Sequence, residues 1–126
     1  MSKTDWEKLA AALRFRASAS PITLSTAVEF LEADPWFHSS GYIKAKLIKF
    51  INRQELKPDW VRRLQKVVIA SVDREDRREF RSYCRLACKV DSAKLRGELM
   101  QRLEHEDKSI RRHARWVLDY LKEEKT

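Results

Sequence analysis

Glycine and proline are scarce in this chain, two and three among 126 residues. Short strands need those residues at tight turns, and an all-β chain needs a turn about every ten residues. Their scarcity argues against sandwiches and barrels and leaves helices joined by short connections. Long apolar runs are also missing: none approaches the roughly 18 residues of a membrane span. The opening MSKTDWEKLAAAL carries charge where a secretory leader needs an apolar centre. The expectation is a cytoplasmic protein without a membrane partner. Cysteine is limited to Cys84 and Cys88, one helical turn apart. They fit small buried thiols in a reducing compartment. No second ligand pair stands at zinc-site spacing, so no metal is expected.

Catalytic signals are equally sparse. His38, His105 and His113 have no second histidine at ligand spacing, and His105-Glu106 is not followed by another histidine four residues on. No serine sits in a nucleophile elbow, and no glycine-rich loop is available to cradle a nucleotide. The sequence predicts no enzyme, no cofactor and no small-molecule substrate.

Charge is what the chain has in excess. Charged residues make up 37% of it, against an ordinary quarter, and the net charge is +8. The surplus is local. Residues 36–90 hold fourteen Lys/Arg against six Asp/Glu, while residues 1–35 and 91–126 are nearly balanced. A concentrated positive surplus points to a polyanionic partner such as nucleic acid or an acidic protein face. A surface kept basic for solubility is the plainer alternative.

Apolar periodicity predicts seven helices, over 5–15, 23–33, 39–52, 59–71, 75–89, 92–104 and 108–122. Thr4 and Glu7 form a capping box for the first, and Asp91 and Asp107 are expected to cap the last two. Asp34-Pro35 ends the second, because a residue before proline is pushed from helical geometry. The expected connections are short enough for antiparallel neighbours.

Three of these segments share an i, i+4, i+7, i+8 apolar pattern. It falls at Ile43, Leu47, Phe50 and Ile51, at Phe80, Cys84, Ala87 and Cys88, and at Ile110, Ala114, Val117 and Leu118. Each follows a shorter amphipathic segment, which favours stacked helix pairs over a closed bundle. Any amphipathic helix tends towards such spacing, so coincidence is the competing explanation. The fold class expected is all-α: a right-handed α-α superhelix of three helix pairs behind an N-terminal cap helix, in one domain over 1–126.

The C-terminal stretch carries a family resemblance. Asp107, Ile110, Arg111, Ala114 and Leu118 occupy the acidic, aliphatic, arginine, alanine and leucine positions of a HEAT-type repeat, which residues 103–118 resemble. Earlier segments depart from that pattern, with an insertion between Asp34-Pro35 and Ile43 and with Cys84 where alanine is usual. The resemblance implies an α-solenoid that binds macromolecules, and it implies no activity.

Arg74, Arg78, Arg81, Arg85 and Lys89 follow one another at steps of four, three, four and four. On a helix those steps share one face, beside the apolar stripe. The 30-residue offset relates Arg78, Arg81 and Arg85 to Lys108, Arg111 and Arg115, while the 39–52 segment contributes only Lys44. Adjacent helices lie about 10 Å apart, so two such rows can follow a phosphate backbone, and arginine bonds phosphate oxygens in pairs. Two plainer readings compete. HEAT-type repeats often pair the arginine corresponding to Arg111 with acids, here Glu98, Glu104, Glu106 or Asp119. Charge runs also occur as simple solvated faces. The leading expectation is a DNA or RNA backbone on these eight cations; the alternative is an acidic protein segment. Trp36-Phe37-His38-Ser39-Ser40-Gly41-Tyr42 is read as a packed hydrophobic connection, with base stacking and anion binding as the sharper alternative. Trp60 and Trp116 are read as packing residues.

Overall fold

The computed structural model describes residues 23–36 and 40–124. Among them are six helices and no strands: α1 (Leu24–Ala33), α2 (Ser40–Asn52), α3 (Pro58–Val72), α4 (Phe80–Lys89), α5 (Ala93–Arg102) and α6 (Lys108–Glu124). The protein is all-α, as its composition predicts. The predicted helix over 5–15 and its capping box lie outside the described residues. No helix among the described residues is long and apolar enough to cross a membrane. The chain divides between Gln54 and Glu55 into two compact units.

In the first unit α1 packs on α2. Thr23 caps α1, its hydroxyl accepting the Thr26 N–H at 3.1 Å. The predicted stripe is buried as Ala27, Val28 and Leu31, with Phe30 added and Leu24 only half-buried. From α2 come Ile43, Leu47, Ile48 and Ile51, whereas Phe50 is half-buried. Asp34 ends α1 outside helical geometry, as expected. Its backbone turns left-handed, at φ 49° and ψ 53°, and its N–H bonds the Phe30 carbonyl at 3.0 Å. Aspartate is among the few residues that tolerate this conformation. Its carboxylate lies 2.6 Å from the Lys44 ammonium, which is 0% exposed. Lys44 therefore belongs to the interior and not to a surface row. A buried charge without its partner costs about 3–5 kcal/mol, so the pair fixes the α1–α2 corner.

The second unit is two helix hairpins, α3–α4 and α5–α6. They pack with α4 against α6 and α3 against α5. Its core is drawn from all four helices: Leu64, Val67, Val68 and Val72; Phe80, Tyr83, Cys84, Leu86 and Ala87; Leu95 and Leu99; Ala114, Val117 and Leu121. Fully burying each larger aliphatic or aromatic side chain is worth about 1.5–3 kcal/mol. Ile110 and Leu118, expected inside, are half-buried.

Local chemistry sets the helix starts. Pro58 opens α3, with Asp59 in the first turn, where a missing N–H and a negative charge both suit a helix N-terminus. Asp107 serves α6 as expected, accepting the Ser109 N–H at 2.7 Å. At α5 the cap is Ser92, accepting from Leu95 at 3.0 Å. Asp91 instead clamps the Arg96 guanidinium with both oxygens at 2.8 Å. Gln65, on α3, donates to the Val90 carbonyl at 2.8 Å and to the Ser92 hydroxyl at 2.9 Å. The corner between α4 and α5 is thus tied to α3.

The expected helix over 75–89 begins only at Phe80, and residues 73–79 form a loop. Long-range pairing accounts for the difference. Asp73 binds Arg102 with both oxygens at 2.8 and 3.0 Å, and Asp76 binds Arg112 and His113 across 36 and 37 residues. Arg77 is drawn towards Glu75 and Glu79 at 3.0 and 3.9 Å. Arg74 and Arg78 are therefore loop residues, so only Arg81, Arg85 and Lys89 of the five form a true helical row.

Candidate functional site

Spacing on α4 separates two faces. Phe80, Tyr83, Cys84 and Ala87 turn inward, and Arg81, Arg85 and Lys89 turn to solvent. Burial pushes the Cys84 thiol up to about 12, so it stays a neutral packing group; Cys88 is half-buried.

Most arginines of the second unit fall into one of two populations. Arg62, Arg77, Arg96, Arg102 and Arg112 each pair with a carboxylate. Arg78, Arg81, Arg85 and Arg115, with Lys89 and Lys108, are exposed and have no ion pair or hydrogen bond to any described residue. Six of the eight candidate cations are therefore unengaged in this sense. The other two are committed to the fold. Arg74 donates to the Ala70 carbonyl at 3.0 Å and lies 5.7 Å from the centre of the Tyr83 ring. Arg111 donates to the carbonyls of His105 and Glu106 at 2.6 and 2.9 Å. Its partners are backbone oxygens of the preceding loop, not the side chains of Glu98, Glu104, Glu106 or Asp119. Asp119 shares the Arg115 face of α6 and forms no ion pair with it.

Beside these cations stands a cluster that sequence reasoning missed. His113 is 1% exposed; its Nδ1 lies 2.9 Å from the Val72 carbonyl and its Nε2 2.5 Å from the Asp76 carboxylate. Both partners are hydrogen-bond acceptors, so the ring is held at its two nitrogens. Asp76 also takes Arg112 at 2.9 and 2.7 Å. The hydrogen bond from His113, then that from Arg112, holds the Asp76 carboxyl below the usual carboxylate range. Phe80 and His113 stack at 4.6 Å between ring centres, and Trp116 lies 5.9 Å from each. Arg112 covers the Trp116 ring at 5.4 Å.

Trp116 is 45% exposed, contrary to its expected packing role. The signal was present. At 100° per residue it stands about 200° around the helix from Ala114, away from the buried stripe. It lines two open clefts, one of about 310 Å³ with Asp76, Arg77, Arg78, Phe80 and His113, the other of about 270 Å³ with Leu103, Arg111, Arg112 and Arg115. A larger groove of about 480 Å³ between α3 and α5 is mixed in sign, setting Arg62, Arg63, Lys66 and Lys94 against Asp59 and Glu98.

In the first unit Trp36 is 70% exposed and not the packed residue expected. The helix has already ended at Asp34, and Trp36 lies on a non-helical stretch. Phe37, His38 and Ser39 fall outside the described residues; Ser40 is buried and Tyr42 exposed, with Lys46 over its ring at 4.8 Å. Trp60 carries Arg63 at 4.9 Å. No group of three or more His, Cys, Asp or Glu among the described residues can hold a metal ion.

Comparison of the chain with protein-family models, curated proteins and solved structures finds no match. The functional reading therefore rests on the cationic face and its surroundings.

Proposed function

We propose that the chain is a non-enzymatic, HEAT-like helical-repeat module whose basic face takes up a nucleic-acid phosphate backbone. The observation that carries this reading is the sorting of the cations. Arg62, Arg77, Arg96, Arg102 and Arg112 are held by acids, and Arg74 and Arg111 by carbonyls. Six of the eight candidate cations, on α4, on α6 and in the loop before α4, are exposed with no described partner. Arg81, Arg85 and Lys89 stand one turn apart, where like charges repel by a few tenths of a kcal/mol per pair. A polyanion relieves that repulsion. The stacking of α4 on α6 supports the repeat reading, because it sets one second helix of a hairpin beside the next.

Backbone contacts of this kind carry no base information. The test is the salt dependence of affinity, read by fluorescence anisotropy on unrelated oligonucleotides. Neutralising about five phosphates gives a slope of roughly −4 to −5 in log affinity against log salt. Changing Arg81 and Arg85 together to glutamine is expected to flatten the slope by about two and to weaken all sequences alike. Thermal stability should stay within about 0.5 kcal/mol, as for exposed sites without partners. Absence of binding to any strand or duplex at low salt overturns this function and leaves an acidic protein segment as the partner to test.

A further inference from the structure

We infer that Trp116 is a platform on which an unpaired nucleobase stacks, so that the ligand of the cationic face is a single strand and not a continuous duplex. This rests on the phosphate-binding reading above and adds the class of nucleic acid.

Scattered exposed apolar residues are ordinary on protein surfaces. Trp116 differs in how it is held and in what surrounds it. Phe80 and His113 brace the indole at 5.9 Å, and Arg112 lies over it at 5.4 Å. Arg112 is itself fixed by both oxygens of Asp76. The ring is therefore preorganised, and little further ordering is needed when a ligand arrives. Almost half of its surface nevertheless stays open, at the shared boundary of two clefts of about 310 and 270 Å³.

Each cleft also holds a cation from the unengaged population, Arg78 in one and Arg115 in the other. A partly exposed aromatic ring with an unengaged arginine in each adjoining cleft is the pairing of elements that single strands use: a surface for a base, and charges for the neighbouring phosphates. Within a duplex the faces of a base are covered by its neighbours and are not available to an indole. Phosphate charge alone explains the exposed arginines. It does not explain a braced, half-open tryptophan lining the same two clefts.

The experiment measures anisotropy of the full chain with three labelled ligands of equal length: a thymidine strand, the same backbone made abasic, and a duplex. Stacking one base on an aromatic side chain is worth about 5- to 150-fold in affinity. The wild-type protein is therefore expected to bind the thymidine strand at least about fivefold more tightly than the abasic strand, and more tightly than the duplex. Trp116→Ala should erase the gap between thymidine and abasic strands while leaving the salt slope unchanged, and Trp116→Phe should keep most of the gap. Equal binding of thymidine and abasic strands by the wild type, or duplex binding as tight as strand binding, overturns the platform and leaves the phosphate-binding function standing. These comparisons use the wild type and hold even if Trp116→Ala does not fold. Failure to bind all three ligands at low salt instead overturns the phosphate-binding reading itself.

Discussion

Asp76 shows how far one side chain reaches. It lies in the loop before α4, is 62% exposed, and holds both Arg112 and the buried His113 on α6. Its carboxyl is held below the usual aspartate range, chiefly by the His113 hydrogen bond. A carboxyl whose folded pKa is depressed stabilises the fold above its unfolded pKa, and that contribution is lost as pH falls through the folded value. Asp76→Asn is accordingly expected to melt below the wild type at pH 7. The gap should stay wide down to about pH 5 and close as pH falls below about 4. Melting curves across that range check it, and a gap independent of pH would assign the effect to shape and hydrogen bonding instead of charge. None of this could be read from the sequence, because Asp76 and His113 are 37 residues apart. Exposure of the cations was legible, since helical spacing alone separates Arg81, Arg85 and Lys89 from the apolar stripe. Whether an arginine has a partner was not legible: Arg102 and Arg112 find theirs across 29 and 36 residues.

At the scale of elements, apolar spacing located every described helix, and its errors fall at the ends. The segment 75–79 looks helical because Arg78 continues the spacing of α4, but Asp76 within it is bonded to Arg112 and His113 on α6. Ser92 displaces Asp91 as the cap of α5 for a similar reason: Asp91 is occupied by Arg96. The same helix offers a direct test of its own stability. Gly97 is exposed in its middle, and a methyl group there would meet nothing within 4 Å. Alanine restricts the unfolded chain more than glycine does, so Gly97→Ala is expected to stabilise by about 0.5–1 kcal/mol. For a unit of this size that raises the melting temperature by about 2–8 °C. An unchanged or lower midpoint would mean that the position is strained or covered.

For the whole molecule, the sequence reads as one series of repeats, and packing forms two compact units that meet between Gln54 and Glu55 in the chain. The 30-residue offset was informative because it relates two helices that do pack together, α4 and α6. The six unengaged candidate cations and both tryptophan clefts belong to the second unit, which has its own core. A chain starting at Glu55 is therefore expected to melt cooperatively and to bind oligonucleotides with the same salt slope as the full protein. Circular dichroism and anisotropy decide it, and an unfolded fragment would show that the second unit depends on the first.

The unengaged cations also act before anything touches them. Their field extends about 8 Å into solvent at physiological ionic strength, far enough to attract and orient an approaching polyanion before a contact forms. A tightly held indole has no such reach, and its attraction begins only at contact. On the proposed reading the two features divide the kinetics of a complex between them. Arrival is set by the arginines and slows as salt rises. Departure is set largely by Trp116 and depends much less on salt.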